Sequence, residues 1–256
     1  MTTTAPARSD SPTNLRHEEA AWRSSVCQVP STHVAVDVTR AIDRHEAAFS
    51  VRCLMGLDIG QRAEGLWVDF VGQTVDSLSI DGQPAPVIWD GARIELPVLD
   101  PGEHTVEITA RGLYSNSGQG LHRFHDPVDG ATYLYTHFEP SDSRRAWASM
   151  DQPDLKSPFS LTVVHPAGWT VLGNGVVEES RPSRELPEAV MTRFATTLPL
   201  PSYLTALAAG PWHRVSSQWR SPLRPDSEPV DLSWSCRASL ARHLDADELL
   251  EVTAAG

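Results

Sequence analysis

The 256 residues contain no run approaching the roughly 18 apolar residues of a membrane-spanning helix, and the first thirteen residues have no apolar core of a secretory leader. They contain three cysteines, Cys27, Cys53 and Cys236, at wide spacing and without a CxxC pair. That usage points to free, buried thiols in a reducing compartment and to a cytoplasmic protein. Basic residues are outnumbered, 21 against 33 acids, for a net charge of −12. Such a balance argues against nucleic-acid partners and against an anionic membrane surface.

Several kinds of chemistry are missing as well. There is no GxSxG nucleophile elbow and no cysteine in a basic helix-start setting. Gly118-Gln119-Gly120 lacks the lysine of a phosphate loop. His17-Glu18 and His45-Glu46 begin like HExxH, but neither has a second histidine four residues on. His122 and His125, beside Asp126, form a weak metal-like cluster that turn polarity explains better.

What is present is β patterning. Residues 1–13 are Thr, Ser, Pro and Ala with little to bury, and are expected to be a disordered tail. Thr13 or Asn14 is placed to cap a helix through about Val26. Thereafter short alternating runs predict strands at 33–38, 65–70, 75–80, 93–96, 104–110, 133–138, 160–164, 169–172, 190–196 and 203–209. Asp81-Gly82, Asp90-Gly91 and Asp129-Gly130 supply turns between them. No long amphipathic helix intervenes, which predicts a mostly β fold of antiparallel sheets, a saddle or sandwich, over 14–215. After about residue 215 the chain becomes polar and proline-rich. Residues 232–236 read as a strand, and Asp245 opens a short helix, so 216–256 is expected to be the start of a second, truncated domain.

The stretch from Tyr133 to Phe159 carries the chemistry. A strand ends at Glu139-Pro140, because proline cannot donate to a ladder, and so a carboxylate sits at a strand end. Taken alone, a solvated turn acid is the commoner explanation. The order Thr136, Phe138, Glu139, Pro140, Arg144 or Arg145, Trp147, Asp151, Gln152, Pro153, Lys156, Phe159 resembles the zinc aminopeptidases of the M1 family, the aminopeptidase N group, in its actinobacterial form. Gly120-Leu121-His122-Arg123, Asn174-Gly175, Pro201-Ser202-Tyr203-Leu204 and Ala208-Ala209-Gly210 extend the resemblance over nearly the whole chain. Where the family usually has Phe and Cys around F-x-C-F-D, this chain has Trp147, Ala148, Ser149 and Met150.

The resemblance implies an N-terminal β saddle in which Glu139 anchors a peptide's free α-amino group, with Asp151 and Gln152 as structural support for its loop. It implies zinc in full-length members, peptide N-termini as ligands and a catalytic domain as partner. The family's GxMEN loop and HExxH zinc motif do not occur in these 256 residues. The chain is therefore expected to hold no metal, to supply no catalytic residue and to be inactive alone. The alternative is a free-standing β-saddle module that binds peptides or a partner protein without catalysis.

Overall fold

The computed structural model describes residues 2–6 and 14–255. The strands begin with β1 (Thr3–Thr4), β2 (Cys27–Asp37), β3 (Ala48–Ile59), β4 (Ala63–Glu64), β5 (Trp67–Asp69) and β6 (Thr74–Ile80). They continue with β7 (Gln83–Ala85), β8 (Arg93–Glu95), β9 (Gly102–Leu113), β10 (Gly120–His125), β11 (Thr132–His137) and β12 (Phe159–Pro166). The last are β13 (Thr170–Gly173), β14 (Val177–Pro182), β15 (Ala189–Phe194), β16 (Leu207–Gly210), β17 (His213–Trp219) and β18 (Val230–Cys236). Two α-helices, α1 (His17–Val26) and α2 (Ala246–Ala255), flank the β portion.

The fold is mostly β, as the alternation predicts. An eight-stranded sheet runs in the order β14-β15-β12-β2-β3-β9-β6-β7, and a four-stranded sheet in the order β10-β11-β16-β13. The large sheet is antiparallel except where β12 lies parallel to β2. Its long central strand β3 shows why it has two faces. Val51, Cys53, Met55, Leu57 and Ile59 point inward and are at most 3% exposed, while Ser50, Arg52 and Asp58 face out. The small sheet contributes Leu121, Leu134, Val171, Leu207 and Ala209 to the same core. That shared core holds the two sheets together.

Three expectations need correction. Thr3–Thr4 is not part of a tail: it pairs in parallel with β4, the Thr3 amide donating to the Arg62 carbonyl at 2.9 Å. Residues 7–13, with Met1, lie outside the described residues, and with them the cap expected at Thr13. The helix starts at His17 and its cap position is Arg16 rather than Asn14, with Glu19 reaching back to accept the Arg16 amide at 2.9 Å. The run read as one strand over 203–209 divides into a 3₁₀ turn, Ser202–Leu204, and β16.

Candidate functional site

β11 has two faces. Leu134 and Phe138 point into the core at 0% and 1% exposure. Tyr133, Tyr135 and His137 point the other way, and Glu139 follows two residues after the strand ends, in the turn that begins there. Tyr135 and His137 are exposed and so is Glu139. His137 stands opposite Gly120 on β10. Gly120 has φ +65°, and a Cβ there would lie 2.8 Å from the Cβ of Arg145. A glycine at this point lets the turn after Glu139 press on the sheet.

That turn is tied down by polar contacts. The Asp142 amide donates to the Phe138 carbonyl at 2.8 Å, and Arg145 Nε donates to Asp142 at 2.6 Å. A 3₁₀ turn, Ser143–Arg145, follows. Arg144 is buried, and its Nε donates to Asp151 at 2.8 Å. The Asp151 carboxylate also accepts from Ser202 Oγ at 2.6 Å. Gln152 accepts from Arg23 Nε at 2.9 Å and donates to the Ala20 carbonyl at 3.0 Å, tying the loop to α1. Asp151 and Gln152 are thus buried members of one network, not groups facing a cleft.

The network continues below the loop through residues that no local pattern marks. Asp69 accepts from Arg23 at 2.8 Å, from Trp67 Nε1 at 3.0 Å and from the Asp151 amide at 3.1 Å. Arg93 pairs with Glu19 at 2.5 Å. The guanidinium groups of Arg23 and Arg93 lie over the Trp67 ring at 4.6 and 4.4 Å from its centroid. Burial alone raises the pKa of Asp69, but Arg23 and Arg144 outweigh it and hold the carboxyl below its usual range. Burial likewise opposes the charge on Arg144, which Asp69 and Asp151 more than restore.

The acids of the loop therefore differ in one respect. Asp142 is paired with Arg145, Asp151 with Arg144, and Asp154 accepts from Ser24 Oγ at 2.5 Å. Glu139 has no hydrogen-bond or ion-pair partner among the described residues.

The histidines form no metal centre. His122 and His125 lie within β10 rather than in a turn, three residues apart and so on opposite faces. His122 Nδ1 accepts from the Gly118 amide, and Asp126 is taken by Arg237 at 2.7 Å and Ser239 at 2.6 Å. Among the described residues no group of three or more His, Cys, Asp or Glu side chains is arranged to hold a metal ion. No helix among them is long and apolar enough to cross a membrane.

Residues 37–204 match the family model of the peptidase M1 N-terminal domain. The chain is similar to an aminopeptidase N of Streptomyces lividans, 39% identical over 248 residues that make up 95% of this chain and 27% of that protein. It is similar to a probable M1 family aminopeptidase 1 of Encephalitozoon cuniculi, 30% identical over 62% of this chain and 19% of the relative. An aminopeptidase N of Mus musculus is 30% identical over 54% of this chain and 16% of its own length. The chain spans about a quarter of the first of these relatives and less of the others.

Proposed function

The chain belongs to the peptidase M1 family, whose N-terminal domain it carries, and on that premise we propose that it is the amine-anchoring part of a zinc aminopeptidase. Glu139 holds the free α-ammonium of a peptide. One observation carries the reading: Glu139 alone among the acids of its loop has no partner among the described residues, on a turn where Arg144 pairs with Asp151 and Arg145 with Asp142. An unpaired carboxylate on a braced turn is available to a cation, and a peptide blocked at its N-terminus offers none. Asp151 and Gln152 hold the turn in place through Arg144, Ser202 and α1.

Zinc, in full-length members, polarises the scissile carbonyl and activates water. The sequence contains no HExxH, and among the described residues no cluster of side chains fits the metal. The 256 residues with added zinc are expected to leave aminoacyl-arylamides intact in a chromogenic assay. Clear turnover would show that they do carry catalysis.

Anchoring is tested by titrating the chain with an alanyl dipeptide amide. Glu139 is exposed, so its pairing in water is worth at most about 1 kcal/mol, a few-fold in affinity. Glu139→Gln should lower affinity by roughly that factor, and acetylating the peptide's amine should abolish the difference between the two proteins. Equal affinities for the free-amine peptide, or no binding by either protein, would remove the anchor role from this chain.

A further inference from the structure

The buried core stops at Gly210. Among the described residues from Pro211 onward none is buried, although this segment carries β17, β18, a 3₁₀ turn at Ala238–His243 and α2. These elements lean on one another. β17 and β18 form a two-stranded sheet of their own, and Trp234 of β18 donates through Nε1 to Thr253 of α2 at 3.3 Å. A segment without a buried residue draws little from the hydrophobic effect, so polar contacts decide where it sits on the rest of the molecule.

Those contacts converge on the turn between β10 and β11. The turn is braced from within: the Asp126 carboxylate accepts the Val128 amide at 2.8 Å, and the Gly130 amide donates to the Asp126 carbonyl at 2.9 Å. Asp126, itself 0% exposed, also accepts from Arg237 Nη1 at 2.7 Å and from Ser239 Oγ at 2.6 Å. Asp129 accepts the Ser239 amide at 3.1 Å and the Tyr133 hydroxyl at 2.8 Å, and that hydroxyl accepts the Ala238 amide at 3.0 Å. Two carboxylates and a phenol therefore grip three consecutive residues, Arg237 to Ser239. A second contact lies where the segment leaves the sheet, the rings of Tyr133 and Trp212 standing 4.8 Å apart. Between the two contacts is a cleft of about 360 Å³. His122, Phe124 and Tyr135 wall it on the sheet side, and Trp212, Cys236 and Leu240 on the other.

We propose that residues 211–255 are a hinged arm, closed by the Asp126–Asp129 clasp, and that release of the clasp opens the aromatic cleft while the two large sheets stay folded. Tyr133 and Arg237 belong to the clasp and to the cleft alike, so the far wall of the cleft moves away only when the clasp breaks. The ladder of β17 is with β18 alone, so the movement breaks no strand pairing. What must break is a charge-assisted pair at a buried carboxylate, which makes the clasp the controlling contact. A lid of this kind admits ligands to a site by a local opening rather than by unfolding.

The protein carries its own probe. Cys236 lines the cleft, whereas Cys27 and Cys53 are 2% and 0% exposed in the core. A maleimide bearing a long polyethylene glycol chain cannot enter the closed cleft and reports opening. On the whole folded chain it should add at Cys236 far more slowly than in urea-unfolded protein, yet well before Cys27 and Cys53. Cys236→Ser should abolish this addition. Asp126→Asn turns an NH₂ toward the Arg237 and Ser239 donors and should speed addition at Cys236 roughly tenfold. Amide exchange in β17, β18 and α2 should rise by a similar factor, with exchange in β3 and the rates of Cys27 and Cys53 unchanged. Asp129→Asn, at an exposed position, should act in the same direction and serves if Asp126→Asn does not fold. A native rate at Cys236 equal to that of the unfolded chain would mean that no clasp holds the arm. A rate no faster than at Cys27 and Cys53, or one that neither variant changes, would equally overturn the proposal.

Discussion

Trp147→Ala should destabilise the protein by about 3–5 kcal/mol, the usual cost of truncating a fully buried tryptophan. Trp147 is 1% exposed and joins the two ends of the stretch that carries Glu139. Its ring meets Phe138, at the end of β11, edge-on at 4.9 Å, and Phe159, at the start of β12, in a stacked pair at 5.7 Å. Between these anchors the chain has one 3₁₀ turn and isolated backbone bridges, Ser149 to Asp69 and Ser157 to Leu200, so its order depends largely on side chains rather than on a continuous ladder. Alanine removes both ring contacts and leaves a cavity between the two sheets. Urea titration should show a lower midpoint at unchanged slope. Amide exchange should rise more in residues 138–158 than in β3, because a loop held only by isolated bridges opens below the global free energy. Trp147→Phe, which keeps an aromatic plug, should cost much less. A loss under about 1 kcal/mol for alanine would mean that the loop does not depend on the plug.

The same stretch shows what can be read from a sequence and what cannot. Its strand, its terminating proline and its carboxylate are local features, visible as alternation and as a residue without an amide proton. The linear order of Thr136, Glu139, Trp147 and Asp151 is equally visible, and it leads to the family. The distant partners of Gln152 and Asp151 are not visible, because Arg23 and Asp69 are 129 and 82 residues away from them in sequence and no period marks them. Strand β3 escapes local reading for a different reason. Its outward face carries Leu54 and Gly56 among the polar residues, which blurs the alternation. β17 is hidden because Ser216, Ser217 and Gln218 face water on a hairpin that pairs only with β18. In each case the missing information is tertiary: which face a neighbour covers, or which distant charge meets a buried one.

The charged network beneath the loop sets the second large effect. Asp69→Asn keeps the side chain's shape and removes its charge. The Arg23 side chain is 0% exposed, with the Asp69 carboxylate as its ion-pair partner at 2.8 Å; Gln152 offers it only a neutral oxygen. Without that carboxylate a buried guanidinium is left uncompensated, at a cost of about 3–5 kcal/mol. Geometry adds to the cost, since Asp69 accepts at both oxygens, from Trp67 on one and from Arg23 and the Asp151 amide on the other. An amide NH₂ in either position faces a donor. The effect depends on pH in a direction fixed by linkage. The folded-state pKa of Asp69 lies below its ordinary 3.8. The carboxylate's contribution is therefore complete above that ordinary value and is lost as the pH falls through the lower, folded-state one. Native protein should lose this part of its stability in acid, whereas Asp69→Asn, already without the charge, should show a flatter dependence below about pH 4. Urea unfolding of both proteins at pH 7 and pH 3 measures it. The two curves should be far apart at neutral pH and closer in acid; a constant gap would assign the loss to packing, and a variant within about 1 kcal/mol of native at pH 7 would mean that Arg23 is neutralised without Asp69.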